Sequence, residues 1–278
     1  MKKRQLEVWL IRLPVYLSVA ITCSMVFLIV GNILIKGIPN ITQDLFAWEY
    51  NSENASVMPA IVNTVTMVLL ALGISLPVGV CSAIYLTEYA KRGNKAVDII
   101  RTTADTLAGI PSIVYGLFGY MFFVVYLGWG YSLIAGALTL AIMVLPVIMS
   151  TTEEALRSVP DAYREASFGL GAGKLRTIFK IVLPSAMPGI LSGVILSIGR
   201  IVGETAALIY TAGTVAQIPE NVMGSGRTLA IHMYALWNEG LASEKAYATA
   251  VILLVLVIVI NAVSGFIASK FGRGGRNA

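Results

Sequence analysis

Apolar residues run through this chain in six long blocks, at about residues 14–35, 61–87, 107–127, 131–149, 188–212 and 247–269, with polar segments between them. Each block is long enough to cross roughly 30 Å of hydrocarbon at about 1.5 Å per residue of helix. The pattern predicts an all-α polytopic membrane protein of six transmembrane helices, forming one transmembrane domain over residues 1–278. Composition points the same way: 57% of the residues are hydrophobic and 13% are charged, where soluble domains carry about a quarter charged residues. Lys2, Lys3 and Arg4 precede the first block, but the run is too long for a signal-peptide core and no small-x-small cleavage site follows. A retained first helix is expected. Cys23 and Cys81 fall inside apolar blocks, which suggests buried packing residues and neither a disulfide nor a metal cluster.

The charges set the orientation. With the N-terminus inside, all Lys and Arg fall on the inner side except Lys36, Arg227 and Lys245 outside and Arg200 within a span. That asymmetry places both termini in the cytoplasm of a multi-pass membrane protein. The net charge of +5 is thereby a topology signal and gives no ground for nucleic-acid binding. The outer segments 36–60 and 217–246 carry acids such as Asp44, Glu49, Glu220 and Glu244 among turn residues, and suit a partner arriving from outside.

The longest inner segment, 150–187, is the least like loop filler. Val159-Pro160 and the glycines 169, 171 and 173 divide it, predicting short helices at 151–158 and 161–170. Asp161 caps the second, with Arg164 and Glu165 on its surface beside small Ala162 and Ala166. Leu175, Ile178, Phe179, Val182 and Leu183 fall near helical spacing between Lys174, Arg176 and Lys180. That pattern predicts a helix along the membrane surface, turned upward at Pro184.

Glu165-Ala166-Ser167, Gly171 six positions after the Glu, then Ile181, Leu183 and Pro184 resemble the EAA loop of ABC-importer permeases, with Ser for the second Ala. The resemblance implies the type I ABC importer permease fold and a helix that docks on an ATPase subunit and carries its motion into the membrane. Gly171-Ala172-Gly173-Lys174 is not a P-loop, because Phe168 and Leu175 stand where that motif needs Gly and Ser or Thr. No cofactor is therefore assigned to this chain, and ATP and Mg belong to the partner ATPase.

The fifth block carries a charged pair. Arg200 and Glu204 follow Gly193 and Ser197 at steps of three and four, which predicts one narrow polar face on a helix, with Arg200 near its midpoint. Charges at that depth lie more often on a substrate or ion path than in a purely structural pair. An Arg fork suits an oxyanion, and a carboxylate beside it would accept a hydrogen bond from phosphate, which keeps a proton at neutral pH, but repel sulfate. Gly189, Gly193, Gly199 and Gly203 would let a neighbouring helix approach closely.

Gly199-Arg200-Ile201-Val202-Gly203-Glu204-Thr205-Ala206 and Ala108-Gly109-Ile110-Pro111-Ser112-Ile113-Val114-Tyr115-Gly116 resemble segments of phosphate ABC-transporter permeases of the PstA type. That resemblance implies a non-catalytic transport subunit with Arg200 and Glu204 on the substrate path. Its implied partners are a related PstC-type permease in a heterodimer, two copies of an ATPase subunit, an extracytoplasmic phosphate-binding protein and membrane lipid. The alternatives are a permease for sulfate or molybdate and an ATP-independent proton-coupled carrier. His232 reads as a partly buried loop residue and not a metal ligand. Asn63, Thr64 and Thr66 suit either the path or interhelical hydrogen bonds, and no catalytic constellation is present.

Overall fold

The computed structural model describes residues 2–91, 93–240 and 243–274. Arg92 and Arg276, used in the charge count, lie outside the described residues, as do the side chains of Lys2, Lys3, Arg4, Lys270 and Arg273. Every regular element among the described residues is helical. In order these are α1 (Lys2–Gly37), α2 (Met58–Ile84), α3 (Lys95–Ala108), α4 (Ser112–Gly119), α5 (Leu133–Arg157), α6 (Asp161–Gly169), α7 (Lys174–Thr177), α8 (Leu183–Val202), α9 (Ala206–Thr211), α10 (Leu229–Glu239) and α11 (Ser243–Gly274). Three π-helical stretches extend them: Tyr85–Tyr89 after α2, Tyr120–Tyr126 after α4, and Ile178–Val182 between α7 and α8.

Five helices are long and apolar enough to cross a membrane, and a sixth span results if the pair Lys95–Ala108 and Ser112–Tyr126 counts as one. That pair is bent by 101°, so the third apolar block, expected as one straight span at 107–127, is broken. Pro111 has no N–H to continue α3, and φ/ψ of −59°/140° put it in an extended conformation. Two further expectations change. The helix expected at 151–158 is the end of α5, which runs unbroken to Arg157. The helix expected on the membrane surface is instead the lower part of one 29-residue helix, Lys174–Val202, in which Pro184 occupies the first turn of α8.

α5 is the centre of the fold. It packs against α2 and α8, burying Leu140, Met143, Val144 and Ile148 with Met67 and Ala71 of α2 and Ile201 of α8. In a bilayer such contacts rest on close packing more than on transfer from water, and small residues supply it. A Cβ on Gly193 would fall 2.0 Å from Thr151 Oγ1, and one on Gly189 would fall 2.6 Å from the Ala155 Cβ. Gly199 meets nothing within 4 Å, and Gly203 meets only the Gly199 carbonyl, so two of the four expected glycines form the close face. Cys23 and Cys81 are exposed, which overturns the expected burial: they face outward from α1 and α2.

Candidate functional site

α8 stops at Val202, and Gly203, Glu204 and Thr205 form a break before α9. Glu204 is therefore not on the helical face of Gly193, Ser197 and Arg200, and Arg200 lies in the last turn of α8, not at a midpoint. Along the axis it is about 24 Å beyond Pro184. Both side chains are half-buried. Among the described residues no carboxylate comes within ion-pairing distance of Arg200. Each charge is matched to a helix end instead. Arg200 sits at the negative C-terminal end of α8, and Glu204 Oε1 accepts a 3.1 Å hydrogen bond from the Ala207 N–H at the positive N-terminal end of α9. Such placements are each worth about 0.3–1 kcal/mol at exposed sites. Among the described residues no hydrogen bond or carboxylate holds the guanidinium of Arg200, and the backbone beside it is unwound. Unwound backbone at membrane depth is tolerated only within protein or along a water-filled cavity.

The two segments singled out at 108–116 and 199–206 meet here. A Cβ on Gly116 of α4 would lie 2.7 Å from Ala207 Cα and 3.3 Å from the Ala206 carbonyl oxygen, so α4 and α9 touch backbone to backbone. Tyr115, next in sequence, is buried, donates its hydroxyl to the Leu107 carbonyl at 2.8 Å, and lies within electrostatic range of Arg200. Spacing along the chain gives no hint of that proximity.

At the cytoplasmic end, α6 carries the expected EAA residues. Glu165 and Ala166 are exposed, Gly171 follows the helix with φ +82°, a conformation that favours glycine, and Ile181, Leu183 and Pro184 lie on the Lys174–Val202 helix. Around α6, Tyr163, Phe168 and Leu170 are exposed, the last at 90%, beside a cavity of about 640 Å³ lined by Ala166, Ser167, Arg176 and Lys180. This is an uncovered, partly apolar surface outside the spans.

Ser167 is more than a small residue. It is buried, and its Oγ lies 2.8 Å from Thr177 Oγ1, which also donates to the Gly173 carbonyl. The pair ties α6 to the foot of the helix that carries Arg200. Arg164, expected on the surface, points inward. Its side chain is 14% exposed, with Nη2 2.8 Å from Glu88 Oε1 and further bonds to the Leu156 and Val159 carbonyls and to Asp161. A neighbouring cluster joins Arg101 and Arg157 to Glu153 of α5.

On the outer side, His232 lies on α10, fully buried rather than partly buried in a loop. Burial, with help from the charge of Arg227, lowers its pKa to about 3 against the pull of a hydrogen bond to the Ala55 carbonyl. Arg227 is 4% exposed and lies over the Tyr50 ring at 4.5 Å. Asn63 Nδ2 donates to the Gln217 and Arg227 carbonyls, and Thr64 Oγ1 accepts from the Leu229 N–H. Asn63 and Thr64 thus hold the outer loop to α2, and Thr66 donates within α2 to the Val62 carbonyl.

A permease chain of the bacterial alginate ABC transporter, solved in complex with an alginate pentasaccharide-bound periplasmic protein, superposes with a TM-score of 0.68 over 93% of this chain and 95% of that one. At 15% identity the likeness is one of fold, the type I ABC importer permease fold. The probable ABC transporter permease protein YqgI of Bacillus subtilis is 34% identical, covering 88% of this chain and 89% of that protein. The phosphate transport system permease protein PstA 1 of Mycobacterium tuberculosis is 39% identical, covering 76% and 70%. Residues 75–273 match the family described as binding-protein-dependent transport system inner membrane component. With that match over most of its length and relatives this similar across nearly their whole chains, the chain belongs to that family of inner membrane transport components.

Proposed function

We propose that this chain is a permease subunit of an ATP-driven importer of inorganic phosphate, and that Arg200 binds the anion during its passage. The observation that carries the reading is the free guanidinium fork of Arg200 beside the unwound segment 203–205, in a chain 39% identical to a phosphate transport permease. Arg stays charged when desolvated and binds two oxygens at once. Glu204 Oε1 is engaged by Ala207, which leaves its other oxygen to accept a proton-bearing oxygen of phosphate. Sulfate has none to offer, so the carboxylate selects between the two.

In this reading a related permease of the PstC type forms the other wall of the path, and an extracytoplasmic phosphate-binding protein delivers the anion to the outer loops. Two ATPase subunits bind ATP and Mg and engage Glu165, Ala166 and the exposed apolar side chains around them. Their closure rocks the spans between outward-open and inward-open arrangements.

The test is uptake of radiolabelled phosphate and sulfate by cells carrying the full complex. Arg200→Gln should abolish phosphate uptake with assembly intact, and Arg200→Lys should lose most of it, since the fork is lost though the charge remains. Glu204→Gln keeps an oxygen for Ala207 and so keeps the α9 cap. It should narrow the preference for phosphate over sulfate. Undiminished uptake by Arg200→Gln at equal membrane levels would make both charges structural.

A further inference from the structure

The cytoplasmic helix α6 is fastened to two different spans, and the second fastening is not part of the EAA pattern. Ser167 and Thr177 join it to the helix that carries Arg200. Arg164 joins it to Glu88, which lies 9% exposed in the π-helical turn Tyr85–Tyr89 at the end of α2. All of the Arg164 nitrogens are engaged: Nε and Nη2 on Glu88, Nη1 on Val159 and Asp161, and Nη2 also on Leu156. The same π turn is held a second time, by Lys174 Nζ over the Tyr89 ring at 4.8 Å.

Both joints lie at π-helical turns, since Thr177 directly precedes Ile178–Val182. Such turns widen the helix, weaken its regular bonding and recur at functional positions. A push on α6 therefore meets each span where its register yields most easily.

The far end of α2 is tied down as well. Asn63 holds the carbonyls of Gln217 and Arg227, and Thr64 holds the first N–H of α10. The loop comes so close that a Cβ on Gly226 would fall 2.7 Å from Asn63 Nδ2. From Asn63 to Glu88, α2 and the π-helical turn that follows it span about 38 Å, enough to run from one membrane surface to the other.

We infer that Arg164 and Glu88 are positioning residues that couple the ATPase-driven movement of α6 to α2, which then moves the outer loop 213–228. The inference rests on the proposed function, because it needs an ATPase acting on α6. It adds a route separate from the helix of Arg200, so that closing of the outer loop and presentation of the anion site are driven from one place by two rods.

The experiment uses the full complex in proteoliposomes with phosphate-loaded binding protein, measuring phosphate moved, ATP hydrolysed, and the stimulation of hydrolysis by the loaded binding protein. Glu88→Gln keeps the shape of the side chain and lies off the docking helix, so basal hydrolysis should be unchanged while phosphate moved per ATP falls about tenfold. Stimulation by the loaded binding protein should fall with it. Tyr89→Leu, at a position 44% exposed where folding is under little threat, should lower the same ratio about twofold. In the double variant Glu88→Gln with Arg164→Gln, the loss should not exceed that of Arg164→Gln alone, because the two act as one unit. An unchanged ratio in both Glu88→Gln and Tyr89→Leu overturns the inference. So does a proportional fall of transport and hydrolysis, which marks damage to the fold. A wild-type complex that hydrolyses ATP without moving phosphate overturns the proposed function itself, and the inference with it.

Discussion

Gly116→Ala tests the contact that builds the proposed anion site. The added methyl would lie 2.7 Å from Ala207 Cα, 3.1 Å from the Ala207 carbonyl oxygen and 3.3 Å from that of Ala206. Carbon atoms rest at about 3.5–4.0 Å, so α4 and α9 must part by about 1 Å, and no side chain can rotate away to spare them. Overpacking of this kind costs about 1–3 kcal/mol, against about 1 kcal/mol gained from replacing Gly in a helix. Gly73 of α2 is the matched control, since it is exposed and nothing lies within 4 Å of its Cβ position; there only the gain applies. Thermal denaturation of the assembled complex in detergent should place Gly116→Ala below wild type and Gly73→Ala at or above it, about 1–3 kcal/mol apart. Phosphate uptake should fall further in Gly116→Ala than its stability does, because α9 carries the Glu204 cap and a shift of about 1 Å in a positioned group can cost a hundredfold in rate. Equal stability of the two variants would refute the backbone-to-backbone contact and the site geometry built on it.

At the α6 joint, Thr177→Val should destabilise the complex more than Ser167→Ala, by thermal denaturation: the first strands a buried Ser hydroxyl at about 1–3 kcal/mol, whereas the second leaves Thr177 bonded to the Gly173 carbonyl. His232 is held neutral with a pKa near 3, and unfolding returns it to about 6.5. Stability is therefore full above pH 6.5 and is lost as the pH falls towards 3. The loss is about 2 kcal/mol by pH 5, and denaturation of His232→Asn followed from pH 7.5 to 5 should show a flatter profile. Glu153→Gln would strip Arg101 and Arg157 of the carboxylate between them, where Glu153 has only 10% of its side chain exposed. We expect a loss of about 3 kcal/mol or less, because both arginines retain water.

Apolar length was enough to read the helical fold and most of its spans, because a run such as 133–149 has one stable answer in hydrocarbon. The same continuity concealed the breaks. Residues 109–111 and 203–205 lie inside the apolar blocks 107–127 and 188–212, yet the helices before them stop at Ala108 and Val202. Losing the helix at Gly203 moved Glu204 off the face that spacing had assigned to it. The EAA residues were legible as a local motif, but their attachments were not. Arg164 and Glu88 are 76 positions apart, and only the folded chain brings a surface-like Arg inward onto a helix end. Ser167 looked like a tolerated substitution until Thr177 was found against it. His232 was misjudged for the same reason, since a loop that packs back onto α2 buries what composition would leave partly in water.

Among the described side chains of α1, those from Arg12 to Ile29 are all exposed, and near its C-terminal end Gly37 lies against Tyr247 and Val251 of α11. In thermodynamic terms this span owes nothing to the core for its place in the bilayer. All of its backbone bonds are internal and its side chains are at home in lipid, so it inserts as a unit of its own. Its removal would open no cavity among α2, α5 and α8. Within this chain α1 thus stands apart from the packed bundle, and changes along it leave untouched the packing around Arg200 and Glu204.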